Sequence, residues 1–403
     1  MREHIKRVAR GLLFAAVSLP LHAAENKLPT AVTEETAAAP MVTPEAGALS
    51  NDPKITAFLQ KEAPHITSDF PYRINLFSQG QIDKNKAGLR VAETANQLKS
   101  DTSGLLFYYE LVNNAMRVPH WHSNATEIGT VLNGKMRVTI WEGTGSAKVY
   151  TVEKNGTWII PRAKLHALEN VGQDDMKFLV AYDSPIAADR DFLTAWASLP
   201  DAVLARAVGL SESDISSIKK TTVNRLSGFD PAAEPEKAEA FSVLSNNFNT
   251  IKPLYQTSLG SITRVDPTVN PNMKAMALQK TIMKPGALRI PHWYTSGDVL
   301  LFVQKGNAYF TMMDDEGKVF HALIKRGDVI SIPVGNFHSF LNIGQEDLEI
   351  YEAFNRVENI HEITLLNGVH NFSVGTIEGA TQLSKELVTK MAQEKIEPYM
   401  IPF

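Results

Sequence analysis

The sequence contains no cysteine. Zinc–thiolate sites, iron–sulfur clusters, thiol nucleophiles and disulfide frameworks are excluded on that ground alone. It also lacks a surplus of either charge, since 40 Lys and Arg against 44 Asp and Glu leave a formal net charge of −4 over 403 residues. Nucleic acid and anionic membrane are therefore not expected partners. No stretch is apolar for the roughly 20 residues that cross a bilayer. The apolar run Gly11–Leu21 is too short, and it sits between Arg2, Lys6, Arg7 and Arg10 on one side and His22-Ala23-Ala24 on the other. This is the charge, core and small-residue order of a secretory signal peptide. Residues 1–24 are expected to be removed on export to the periplasm or the medium, leaving a mature chain with no membrane segment.

With 44% hydrophobic residues the chain can fill two cores. Residues 25–55 are rich in Ala, Thr, Pro and Glu and read as a disordered leader. From Phe70 the texture changes to short β-branched and aromatic runs, including Leu105–Leu111, Gly129–Leu132, Met136–Trp141, Trp158–Ile160 and Lys177–Tyr182. Turn residues separate them, which predicts an all-β sandwich or barrel. After Asp183 the spacing predicts helices over Asp189–Ala197 and Asp201–Val208, with Ser211 capping a third. Residues 228–240, with Pro231 and Pro235, read as a linker. A second β-rich block follows from about Phe241 to Phe354, and Ser384–Lys395 has the spacing of a terminal helix. The expected division is an N-terminal domain over 56–227 and a C-terminal domain over 241–403.

The chain repeats itself. Pro119-His120-Trp121 recurs as Pro291-His292-Trp293, at an offset of 172. The same offset carries Arg117 to Arg289, Gly134 to Gly306, Pro161 to Pro333, His166 to His338, and Asn170-Val171-Gly172-Gln173 to Asn342-Ile343-Gly344-Gln345. A period this long marks two copies of one domain rather than a solenoid.

In the first copy, His120 and His122 alternate with Trp121, so on a strand both imidazoles share one face. Glu127 follows a short polar stretch, and His166 lies just beyond the turn at Pro161. Three neutral imidazoles and a carboxylate make an N3O ligand set. Such a set suits a borderline divalent metal and leaves two octahedral positions open, as a working site requires.

His120-x-His122-x4-Glu127-x6-Gly134 resembles the first signature box of the cupins and germins, and Asn155-Gly156-x4-Pro161-x4-His166-x3-Asn170 resembles the second. With its duplicated layout and helical connection, the chain looks most like the bicupin oxalate decarboxylases. The resemblance spans roughly Phe70 to Phe354. It implies two tandem cupin barrels (double-stranded β-helix, or jelly roll) with short helices between and after them. It further implies that His120, His122, Glu127 and His166 are ligands of Mn2+, with Fe2+ or Zn2+ as alternatives. Arg117 matches the arginine that engages a small carboxylate substrate beside the metal, which fits its bidentate fork. Dioxygen as a second partner and association into homo-oligomers are further expectations. The sequence departs from the pattern at Asn114, Asn155 and Ala163, where the family has glycine.

Two further departures bear on activity. In the decarboxylases a glutamate in a flexible segment before the inter-domain helix relays a proton. Here that segment is Ile186-Ala187-Ala188-Asp189-Arg190, with Ala187 at the glutamate position. Asp189 is then a candidate catalytic acid, or else a first-turn residue of the next helix. In the second copy, Tyr294 and Val299 replace His122 and Glu127, and Asp298 is one residue out of step. That copy reads as metal-poor. Two functions remain open: a manganese enzyme acting on oxalate or a similar small acid, and a non-catalytic metal- or ligand-binding cupin of the storage type. Oxalate oxidation or another dioxygenase activity is a variant of the first.

Overall fold

The computed structural model describes residues 47–94, 97–99, 104–218, 225–231, 239, 242–358, 360–394 and 399–403. The signal segment, the leader up to residue 46 and most of the linker lie outside them.

Each half of the chain builds two β-sheets around one apolar interior. In the first half a seven-stranded sheet runs in the order Ser245–Asn247, Gly156–Ile160, Glu127–Asn133, Met176–Tyr182, Leu105–Leu111, Gly88–Ala92, Gln81–Asn85. Its six-stranded partner runs Asp189–Asp191, Ala115–His122, Leu165–Asn170, Lys135–Trp141, Lys148–Glu153, with Leu226–Gly228 also paired to Ala115–His122. The second half repeats this plan with seven and six strands. All strand pairing within and between these elements is antiparallel, apart from one isolated bridge. Alternating side chains from both sheets, such as Ile128 and Val131 against Met136, Val138 and Ile140, close the core. This is the two-barrel, all-β architecture expected, with helices after each barrel.

The two halves exchange their leading strands. Ser245–Asn247 pairs with Gly156–Ile160 of the first barrel, Ser245 opposite Trp158. Arg73–Asn75, 172 residues earlier, pairs with Asp328–Ile332 of the second barrel, Arg73 opposite Ile330. The exchange is reciprocal and in the same register. The expected division between 56–227 and 241–403 is therefore crossed twice, because an edge strand lowers its free energy by pairing wherever an unpaired edge is in reach. Residues 47–55, read as part of a loose leader, are also placed. Ser50 N donates to Ile343 O at 2.7 Å, and Ile55 of the helix Pro53–Glu62 packs with Tyr309, Leu341 and Ile343 on the second barrel.

Asp189–Asp191 departs from the expected helix. It is a strand on Ala115–His122, and the helix starts only at Phe192. Its backbone pairs with the strand of the two histidines, and its acidic side chains find an arginine there. Asp201–Val208 and Glu212–Ile218 follow, the latter with Asp214 N bonded to Ser211 Oγ at 3.2 Å. The terminal helix is Lys385–Gln393, capped by Ser384.

All three positions where glycine was replaced hold a positive φ: 57° at Asn114, 65° at Asn155 and 63° at Ala163. Asparagine tolerates this region; alanine pays for its Cβ there. The conformation at Ala163 is held by its amide bonding to His122 O at 2.9 Å. Ala163→Gly should therefore raise unfolding free energy by about 0.5–1 kcal/mol, the strain relief exceeding the added chain entropy. Denaturant unfolding of the two proteins checks this, and a loss of stability would contradict it.

Candidate metal centre

His120 and His122 stand two apart on Ala115–His122 and are buried, while Trp121 between them is half exposed. Glu127 opens the next strand, and His166 pairs directly across from His120. One ligand atom from each of these four residues lies within 4.8 Å of the others, and all four are buried. The ring centroids of His120 and His166 are 4.1 Å apart, those of His120 and His122 5.0 Å.

The orientation of each ring has a cause. His120 Nδ1 lies 2.8 Å from Val118 O, and His166 Nδ1 lies 2.9 Å from Lys164 O. Nδ1 therefore carries the proton in both, and the Nε2 lone pairs face inward. His166 Nε2 makes no hydrogen bond and lies 3.4 Å from Glu127 Oε2. His122 lies between two carboxylates, Nδ1 2.9 Å from Asp189 and Nε2 3.1 Å from Glu127. Glu127 is oriented in turn by Trp158 Nε1, which donates to Oε1 at 2.9 Å. Trp158 reaches it because residue 129 is glycine: a Cβ there would stand 2.3 Å from the indole ring.

Burial alone would push Glu127 up, but the imidazoles of His166 and His122 outweigh it and hold the carboxyl well below its usual range. Burial and then the Arg117 charge hold His120 well below an ordinary imidazole. For His122 burial also acts downward, but hydrogen bonds to Asp189 and Glu127 raise it to about 9. Without a cation, Glu127 is balanced only by the proton on His122, while the inward Nε2 of His166 has no hydrogen-bond partner, a costly state for buried polar atoms. The N3O set therefore fits a divalent metal ion.

Arg117 lies three residues before His120, yet both point inward, which strict alternation forbids. The pairing with Leu165–Asn170 shifts register between His166 and Leu168, a bulge that turns the guanidinium to the ligand face. Arg117 is 1% exposed. Its Nη1 donates to Asp191 Oδ1 at 2.7 Å and its Nη2 lies 3.1 Å from Asp189 Oδ2. Asp189 is thus neither a helix cap nor a free acid. Burial raises its carboxyl, but Arg117 and His122 outweigh this and keep it ionised. Asp191 was not anticipated, although Asp-Arg-Asp at alternating positions places two carboxylates on one face of a strand. Ala187 packs at the edge of the core.

The second barrel keeps this frame with other chemistry. The centroids of His292 and His338 are 4.2 Å apart, and Tyr294 stands 5.2 and 5.6 Å from them, close to the spacing of His122 from its neighbours. Arg289 pairs with Glu362 as Arg117 does with Asp189. The tyrosine hydroxyl donates to Glu352 at 2.9 Å, and Gln279 and Thr281 donate to the same carboxylate. Glu352 is fully buried and was missed, although a glutamate between Tyr351 and Ala353 in the strand Leu348–Phe354 is a readable signal. Asp298 turns elsewhere, accepting from Val334 N at 2.9 Å. Among the described residues, only the first barrel brings three or more His, Asp or Glu ligand atoms together.

The sequence profile of the cupins matches residues 74–216 and 246–389, and the protein belongs to that family. The duplicated arrangement makes it a bicupin resembling the oxalate decarboxylases. It is 24% identical over 327 residues to the oxalate decarboxylase OxdC of Bacillus subtilis, covering 79% of this chain and 84% of that one. It is also 24% identical over 174 residues to a probable germin-like protein, subfamily 2 member 5, of Arabidopsis thaliana, covering 42% of this chain and 82% of the other. A structure in which the Mn(II) centres of the Bacillus enzyme were assigned superposes with a TM-score of 0.72 at 19% identity, over 84% of this chain and 90% of that one.

His122→Ala or Glu127→Ala should abolish stoichiometric metal, whereas His338→Ala should leave one ion per chain in the first barrel. Elemental analysis after manganese reconstitution checks both halves. The raised His122 imidazole carries a proton below about pH 9 in the metal-free protein. Metal uptake at pH 7.5 should therefore release about one proton, and affinity should fall by about tenfold per pH unit on acidification. Calorimetry in buffers of different ionisation enthalpy reads the proton count.

Proposed function

We propose that the protein is an exported, manganese-dependent bicupin whose first barrel acts on oxalate or a similar small carboxylic acid. The observation that carries this reading is the convergence of His120, His122, Glu127 and His166 on one buried point beside the Arg117 guanidinium. The names of the relatives agree with it, as does the Mn(II) bound by the Bacillus enzyme. Those four residues would hold the ion, which supplies Lewis acidity and one-electron chemistry when bound. Arg117 would orient the carboxylate through its planar fork. The barrel walls, with every ligand 2% exposed or less, would keep water out.

What this chain's residues do with protons sets the outcome. A decarboxylase must return a proton to carbon, so that oxalic acid yields formic acid and carbon dioxide. The expected donor position is Ala187, which has no proton to give, and Asp189 is held ionised by Arg117 and His122. Oxidation needs no such donor: oxalic acid and dioxygen give two carbon dioxide and hydrogen peroxide. The same two observations favour the second reading, a metal-binding cupin without turnover.

Manganese-replete protein supplied with oxalate from acidic to neutral pH should release carbon dioxide, with peroxide exceeding formate. Formate in excess would relocate the proton donor. If neither product appears while metal remains bound, the enzymatic reading fails and the binding reading stands.

A further inference from the structure

Arg117 is committed to internal carboxylates, but not on all of its donors. Nη1 donates to Asp191 with good geometry. Nε and Nη2 are buried and make no hydrogen bond. These two N–H groups form the side-on fork that takes a carboxylate in bidentate fashion. The group standing over that fork is the Asp189 carboxylate, whose Oδ2 lies 3.1 Å from Nη2 without hydrogen-bond alignment, while its Oδ1 lies 2.9 Å from His122 Nδ1. Arg225 Nε reaches the same Oδ2 at 3.5 Å.

Asp189 cannot move alone. Its strand pairs with His122, Trp121 and His120 themselves. The loop before it is tied down by Asn124, whose Oδ1 accepts from Ala188 N at 2.9 Å and whose Nδ2 bonds Ile186 O and Ser184 Oγ. A carboxylate arriving at the fork therefore meets a fixed negative charge, and like charges at contact in a buried site are strongly unfavourable.

We propose that Asp189 is the specificity-determining residue of the first barrel: its carboxylate occupies the anion position on Arg117, so a substrate carboxylate binds only when the strand Asp189–Asp191 is released. This rests on the reading of Arg117 as the substrate's partner. Substrate affinity and strand release then share one free energy, and each anionic ligand is weakened by the work of displacing an internal one. Asp189 also positions His122 by fixing its tautomer, so its two roles need separate variants.

Asp189→Asn separates them. The side-chain oxygen still stands beside His122 Nδ1 as an acceptor, the charge over the fork is gone, and the amide N–H faces an incoming carboxylate. Calorimetric titration of oxalate into manganese-loaded full-length protein should give a dissociation constant at least about tenfold lower for Asp189→Asn than for the wild type. Metal content should be equal in the two. The gain should vanish in Arg117→Gln/Asp189→Asn. An unchanged or weaker affinity with metal retained, or a gain that survives Arg117→Gln, would overturn the proposal.

A second measurement uses the unaltered protein and so does not depend on a variant folding. Saturating oxalate should speed amide hydrogen exchange in the segment 186–192 of the manganese-loaded wild type, and equal or slower exchange there would overturn the proposal too. Binding and turnover fail separately. The expected affinities without carbon dioxide release would sink only the enzymatic reading. Turnover by the wild type with no gain in Asp189→Asn would sink only the role of Asp189.

Discussion

Four lone-pair donors, three imidazole nitrogens and a carboxylate, point at one another inside a barrel from which water is excluded. Everything around them serves to keep them in that unfavourable arrangement. Backbone carbonyls fix the tautomers of His120 and His166, Trp158 grips one oxygen of Glu127, and Gly129 is bare so that the indole can lie against the sheet. Without a cation such a cluster must borrow protons to survive burial, which is what the raised His122 imidazole represents. The architecture makes sense as a cage whose contents supply the missing positive charge.

The second barrel shows what happens when that demand is removed. Its two histidines keep their places and their backbone contacts, but the third ligand has become a tyrosine and the carboxylate has moved to another strand. There the phenol, an amide and a hydroxyl satisfy the carboxylate of Glu352 by hydrogen bonding alone. A buried polar network can be closed by neutral donors as well as by a metal. The two copies illustrate both solutions in one backbone.

Much of this was readable in advance because it depends on local periodicity. The strand Leu105–Leu111 has the limits that its composition predicts, and the ligand quartet follows from alternation and the 172-residue repeat. Three kinds of feature were not readable. The inward turn of Arg117 needs a bulge, which is a relation between strands and leaves no mark in one of them. The strand at Asp189–Asp191 arises from tertiary pairing that overrides helical spacing. The swapped strands cross a linker that composition marks as a boundary, since nothing in Arg73–Asn75 says which barrel will receive it.

That swap ties the fate of the halves together. Each barrel ends in a strand donated by the other, so a cupin cut free of its sibling would present a naked edge at Gly156–Ile160 or Asp328–Ile332. An ion captured by the first barrel thus steadies a scaffold on which the second also leans, and the ligand-poor copy draws robustness from a site it lacks.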